Sequence, residues 1–303
     1  MKTLAAYISI FLCFLLFFVY WLRPGWAAAL TIFPAWIWLL FWLLALPLVK
    51  KRTFVIATCC WLLFGAFQVE EWKSVLRAAL PVDKKEHSLR VTTINCSGSI
   101  AALRDAITDH PDIILVQESP ARQEIEKLLA GKDGYEFIYG PDTSIIARGH
   151  LREATQAMFY NAGTAWIDNK QFFIISVRLR TSNPRIDLWK MDCWRSQFQL
   201  RQVQIKQMRE IADQLPDDSI LVVGGDFNVP QRDRIFSFFK DKLADTFSAG
   251  ARGWCNTILV EYPMLRIDQI WTSSELSCYN AYVRVSPQTD HKLYTSLMNF
   301  TQP

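Results

Sequence analysis

The chain has 303 residues, 51% of them hydrophobic and 20% charged, with 14% aromatic side chains and a formal charge of +4. This composition excludes a disordered chain, which lacks the apolar surface needed to fold. Seven cysteines are too sparse for a disulfide-built mini-scaffold, and 12 glycines and 13 prolines without a repeat exclude collagen-like and low-complexity classes.

The apolar residues gather at the N-terminus. Residues 1–80 hold seven of the 12 tryptophans and only nine charged side chains. Residues 4–22 and 26–49 carry no charge, and 53–69 follow the cluster Lys50-Lys51-Arg52. A helix crosses the roughly 30 Å bilayer core with about 20 apolar residues. The pattern predicts about three transmembrane helices, at 4–22, 26–49 and 53–72, with Trp72 beside Glu70 and Glu71 as an interfacial anchor. Two helices plus a re-entrant piece is the alternative, because Pro34 and Pro47 kink or end the second segment. A cleaved signal peptide fits poorly. The first segment ends in Tyr20-Trp21-Leu22-Arg23-Pro24 rather than in small residues, and further apolar segments follow. Lys2 and the cluster at 50–52 fall on one side of a three-span chain, and Arg23, Lys73 and Arg77 on the other. The preference of basic loops for the cytoplasm then predicts a multi-pass protein of the cell membrane, with residues 73 onward outside the cytoplasm.

Residues 73–87 read as a polar linker containing Pro81 and the run Asp83-Lys84-Lys85-Glu86, and 88–303 as one domain long enough for its own core. The first 80 residues take seven Lys+Arg and two Asp+Glu, leaving 26 and 27 and a formal charge of −1 for the remainder. The soluble part therefore has no general basic bias toward nucleic acid. Of its cysteines, Cys96, Cys193, Cys255 and Cys278, an oxidising compartment permits a disulfide, but buried free thiols are the favoured expectation.

In chain order, residues 89–95 alternate as a strand, 100–109 have helical spacing and stop before Pro111, and 112–117 form a short buried strand. A helix at 122–130 ends at Gly131. Strands are expected at 135–139, 143–148, 156–160 and 171–179. A long polar helix fits 194–214, a strand at 220–223 ends in Gly224-Gly225, and two more strands fit 266–272 and 279–285. Strands outnumber helices and come both as hairpins and as β–α units. That predicts an α+β fold with two packed sheets and helices outside.

Polar residues interrupt the strand ends. Asn95 ends the first strand and Glu118 the second. Asp226 and Asn228 follow Gly224-Gly225, Asp268 sits within an apolar strand, and Asp290-His291 comes after what reads as the final strand. A carboxylate in such a place is costly unless paired or bound to a cation. Several of them with carboxamides form an oxygen-rich set suited to Mg²⁺, with Mn²⁺ as the alternative. Each piece has a bland reading: a Gly-Gly-Asp turn, a helix cap at Glu118, an ion pair of Asp268 with Arg266.

The ordered set resembles the endonuclease/exonuclease/phosphatase superfamily, the deoxyribonuclease I-like fold, of the membrane-anchored bacterial type. The matching pieces are TINC at 93–96, QE at 117–118, GDFN at 225–228, RIDQIW at 266–271 and TDH at 289–291. The resemblance covers roughly 88–300 and implies a four-layer α/β/β/α sandwich, two mixed sheets flanked by helices. It implies metal binding by Glu118, with Asn95 and Asp290 in the shell. It also implies that Asp226 orients or deprotonates the attacking water, that Asn228 positions water and phosphate, and that His291, held by Asp268, contacts the phosphate in a charged form or assists as a base. One position departs: where the family carries a central-strand His, or sometimes Tyr, this chain has Arg178. Arginine is a poor acid but binds phosphate through its planar fork. His87, His110 and His150 match no catalytic position of the family.

The expected function is a membrane-anchored phosphoesterase acting on a phosphodiester or phosphomonoester, such as a lipid-linked phosphate compound at the bilayer. The alternatives are an extracytoplasmic nuclease, and a catalytically weakened metal- or phosphate-binding sensor, which Arg178 favours. Specificity is expected in the loops 181–195 and 248–264, whose Trp189, Trp194, Trp254 and Tyr262 either pack under the loops, the default expectation, or touch lipid.

Overall fold

The computed structural model describes residues 2–45, 51–82, 88–132, 134–182, 184–259 and 264–301. Pro47, Lys50, the run Asp83-Lys84-Lys85-Glu86, His87 and Tyr262 lie outside them. The chain divides into two compact units. One comprises Met1–Lys73, Ser182–Gln202 and Arg232–Arg234, and the other Ser74–Thr181, Val203–Gln231 and Ile235–Pro303.

The first unit contains the apolar helix α1 (Lys2–Leu22), the short helices α2 (Ala28–Thr31) and α3 (Leu40–Ala45), and α4 (Lys51–Gln68). Helix α5 (Glu71–Ala78) begins at its boundary. Leu4–Leu22 is long and apolar enough to cross a membrane. The segments expected to span at 26–49 and 53–72 are broken instead, the first by 67° and the second by 76°, so the chain has up to three spans only if each bent pair counts as one. The first break falls at Pro34, which has extended backbone and no N–H to continue a helix. The second falls where Glu70 turns aside to pair with Arg232 at 3.0 Å. Tyr20 holds the unit together: its hydroxyl donates to the Phe33 carbonyl at 2.7 Å and accepts from Trp38 Nε1 at 2.6 Å.

Among the described residues, the second unit is built on twelve strands. These are β1 (Leu89–Asn95), β2 (Ile113–Gln117), β3 (Tyr135–Ile138), β4 (Thr143–Arg148), β5 (His150–Ala157), β6 (Tyr160–Ile167), β7 (Lys170–Arg178), β8 (Ile220–Asp226), β9 (Ala244–Asp245), β10 (Asp268–Thr272), β11 (Leu276–Val285) and β12 (Lys292–Phe300). One sheet runs β11-β12-β1-β2-β4-β3 and the other β5-β6-β7-β8-β10-β9. Each is mixed, with the parallel pairs β1–β2 and β7–β8 near its centre. The inner faces meet in one apolar core that includes Val91, Leu115 and Ile145 from the first sheet and Ile174, Val222 and Ile270 from the second. On the outer face of the first sheet lie α6 (Ile100–Ile107) and α7 (Arg122–Leu129), which bury Leu103, Ala106 and Ile125 against Ile94, Ile114 and Val116. On the outer face of the second, α8 (Met191–Asp213) contributes Met208 and Ile211 to a cluster with Val223, Phe227 and Phe236. The last helix, α9 (Thr246–Gly250), follows β9. The result is two packed mixed sheets flanked by helices.

Three expected boundaries move. The strand expected at 156–160 is the turn between β5 and β6, because Met158-Phe159 carries the hairpin between two longer runs. The strand at 279–285 begins at Leu276. The strand it was expected to end with is not the last: β12 follows His291, and pairs with both β11 and β1. Its alternation is masked by Thr295 and Ser296, polar residues on opposite faces that are both buried.

Candidate active site

Topology brings the expected residues to one edge of the sandwich. Asn95 and Gln117 are register partners at the ends of the parallel strands β1 and β2. Arg178 and Asp226 are register partners at the ends of β7 and β8, and Asp226 faces Asp268 across the antiparallel pair β8–β10. Gly225 makes that convergence feasible. Its φ of 144° is open to glycine, and a Cβ there would collide with the Val177 carbonyl oxygen. A polar pin joins the two sheets beneath the site: Gln117 Nε2 donates to Ser176 Oγ at 3.1 Å, and Ser176 Oγ donates to the Val116 carbonyl at 3.1 Å.

Asn95 is the hub. Its Oδ1 accepts from the Ser97 amide at 3.0 Å, which turns its Nδ2 toward two carboxylates. That nitrogen donates to Glu118 Oε1 at 2.9 Å and to Asp226 Oδ2 at 3.1 Å. Asp226 also accepts from the Asn228 amide at 2.9 Å and from Asn228 Nδ2 at 3.0 Å. Both Glu118 and Asn228 have positive φ, 45° and 52°. A bulky side chain in that backbone region is strained, and such strain collects at functional sites.

His291 Nδ1 lies 2.9 Å from Asp268 Oδ2. Both residues are buried, as is Asp226. Burial works against charge on His291, yet the Asp268 carboxylate, with Asp226 and Asp290 behind it, lifts its pKa to about 10. Burial and then the neighbouring Asp268 charge push Asp226 up to about 7, against the opposing pull of His291 and the bonds from Asn95 and Asn228. Asp290 stands at the mouth. Ser97 Oγ is 3.2 Å from its Oδ1, and the adjacent Thr289 hydroxyl donates to the Asn95 carbonyl at 2.8 Å.

Arg178 occupies the departing position. Its Nη2 donates to Glu118 Oε1 at 2.8 Å and its Nη1 to Asp142 Oδ1 at 2.7 Å. Burial raises the Asp142 pKa, and Arg178 opposes the rise. Sequence reasoning missed Asp142, Ser97 and Thr289. The only signal for Asp142 was Gly140-Pro141-Asp142, which reads as a turn. Ser97 follows the TINC piece and Thr289 opens TDH, but the bonds they make, to Asn95 and Asp290, depend on loop geometry.

Two groups of side chains could seat a metal. Ligand atoms of Asp226, Asp268 and His291 lie within 4.8 Å of one another. Asp268 Oδ1 is buried without a hydrogen-bond partner, so the cluster has acceptor capacity to spare. Asp268 Oδ2 already engages His291 Nδ1 at 2.9 Å, an arrangement that also suits the trio to handling protons and phosphate. Glu118 is a third exposed and shares the Asn95 amide nitrogen with Asp226, while Asp290 is tied to the same loop through Ser97. That all-oxygen set fits a hydrated hard cation such as Mg²⁺. Asn95, as oriented, holds the carboxylates together through its nitrogen rather than offering oxygen.

Residues 92–291 match the Endonuclease/Exonuclease/phosphatase family. No curated protein matches the chain. Among solved structures, the endonuclease/exonuclease/phosphatase from Beutenbergia cavernae is 15% identical, covers 71% of this chain and 72% of its own, and superposes with a TM-score of 0.54. D. rerio TDP2 humanized by 14 mutations is 17% identical over 70% of this chain and 99% of its own, with a TM-score of 0.53. D. rerio TDP2 complexed with single strand DNA product is 16% identical over 71% and 100%, with a TM-score of 0.52. At such identities the likeness is one of fold.

Proposed function

The chain belongs to the Endonuclease/Exonuclease/phosphatase family, and on that premise we propose that it is a membrane-anchored, divalent-metal-dependent phosphoesterase whose substrate lies at or near the bilayer. The observation that carries the reading is the Asn95 amide, which holds Glu118 and Asp226 on one nitrogen beside the buried Asp268–His291 pair. Glu118, together with Asp290 and Asp226, would hold the cation, whose charge offsets that of the phosphoryl oxygens. Asp226, with a pKa pushed up to about 7, accepts the proton of the attacking water, and Asn228 fixes that carboxylate's orientation. His291, charged through Asp268, donates to a phosphoryl oxygen. Arg178 offers its fork to the charge that develops in the transition state. Anchoring through Leu4–Leu22 favours a lipid-linked phosphate compound as substrate.

A nuclease is the second reading, favoured by one observation: a structural neighbour is a complex with a single strand DNA product. The soluble part's formal charge of −1 opposes it. The full chain in detergent with Mg²⁺ should hydrolyse a phospholipid or a small phosphate ester, and Glu118→Gln, Asp226→Asn and His291→Asn should each lower the rate by about 10²–10⁴-fold. Single-stranded DNA cleaved in preference to every other ester would install the nuclease. Equal rates for wild type and all three variants would remove catalysis from this site.

A further inference from the structure

Three large apolar side chains stand out in six residues: Ile186 is 80% exposed, Trp189 78% and Met191 67%. The expectation that Trp189 packs under its loop is therefore wrong. Single exposed apolar residues are ordinary, but a cluster marks an interaction surface. The loop that presents this one is tightly built. Arg185 grips Asp187 with two bonds of 2.9 and 2.7 Å and reaches Asp192 at 2.8 Å. Trp194 Nε1 donates to the Leu188 carbonyl at 2.7 Å. The loop's charges are thus spent on one another while its apolar groups face outward.

The same segment, Ser182–Gln202, belongs to the unit that contains the apolar helices. The contact is at the end of α1: a Cβ on Gly25 would stand 3.6 Å from the Phe198 ring and from Gln202 Nε2. Met191 and Phe198 are seven residues apart on α8, two helical turns, and so share the face turned toward that end. There Trp21 is 62% exposed, Leu22 45% and Trp26 60%. A polar layer lies at the same end, where Arg201 pairs with Asp233 at 3.2 Å and Arg232 with Glu70 at 3.0 Å. Tryptophans beside ion pairs at the end of an apolar helix are the composition of a membrane interface.

We propose that residues 186–191 insert into the lipid interface of the leaflet surrounding the C-terminal end of α1, with Ile186, Trp189 and Met191 as the inserted side chains. The occupant is lipid because the loop leads into the α8 segment that meets Gly25 just past α1, whose Phe11, Phe14, Phe18 and Trp21 are all exposed. The inference rests on α1 spanning the membrane.

The test uses the full chain in phosphatidylcholine nanodiscs, with or without bromine on the acyl chains. Emission of Trp189→Phe is subtracted from wild type to isolate Trp189, and Trp21→Phe does the same for Trp21. Both tryptophans are largely exposed, phenylalanine keeps a ring beside Phe17, and equal thermal melts confirm that packing is intact. The expected result is a blue-shifted Trp189 component that brominated lipid quenches and aqueous iodide does not. If Trp21 is quenched by bromine while Trp189 responds to iodide, the loop faces water and the proposal is overturned. A Trp189 component insensitive to both means a protein covers the loop, which overturns it equally. If Trp21 also ignores bromine, the membrane span itself is at fault.

Discussion

Asp268 sets the charge of its neighbours from a position where its own Oδ1 has no hydrogen-bond partner. His291 titrates at about 10 in the folded chain against an ordinary value of 6.5, so between those values the folded chain keeps a proton the unfolded chain has released. The stability contributed by the pair is complete below pH 6.5 and is lost as pH rises toward 10. In chelator, the denaturation midpoint of wild type should therefore fall across that window more than that of His291→Gln, and a parallel fall in both would place the effect elsewhere. Arg178 acts on the other carboxylate. Its guanidinium sits on Glu118 Oε1, the oxygen a cation would approach, so the two positive charges compete. Arg178→Met should tighten divalent-ion binding by on the order of tenfold, the equivalent of about 1.4 kcal/mol, measured by calorimetric titration. The same variant should slow hydrolysis if the fork also serves the transition state, and a faster enzyme would assign Arg178 to metal control alone.

Strand ends decide where these residues meet, and the strand ends were only partly legible. Asn95, Asp226 and Asp268 each occupy the last or first residue of a strand. Their positions could be read from polar residues interrupting apolar runs, because an unpaired carboxylate there is too costly to be accidental. Asp142 could not be read, since its partnership with Arg178 spans 36 residues and its local sequence looks like any turn. Nor could β12, where Thr295 and Ser296 point into hydrogen bonds rather than hydrocarbon. The breaks in the apolar region were half legible: Pro34 announces the first, but the second depends on Glu70 meeting Arg232 far along the chain. Gly225 gives the element scale its own test. A Cβ there would strike the Val177 carbonyl of the neighbouring strand, so Gly225→Ala should destabilise the fold by about 3 kcal/mol or more in urea melts. A neutral result would show that β7 and β8 can separate without loss.

Across the whole molecule, the apolar unit is not a simple N-terminal appendage. It is completed by Ser182–Gln202 and Arg232–Arg234, and the buried pair Arg201–Asp233 lies wholly within those two later segments. Asp233→Ala should therefore damage the N-terminal unit, by about 3–5 kcal/mol, because it leaves the Arg201 charge buried without its carboxylate. Protease-accessibility of 2–73 in detergent is the readout, and an unchanged digestion pattern would show the two regions to be independent. The chain passes from one unit to the other five times before residue 235. During synthesis, the first helices must then leave the ribosome and wait, unfinished, until Arg234 has followed. Grafting residues 1–73 onto a foreign enzyme would transplant an incomplete part, and a donor truncated there would keep segments shaped for a neighbour it no longer has.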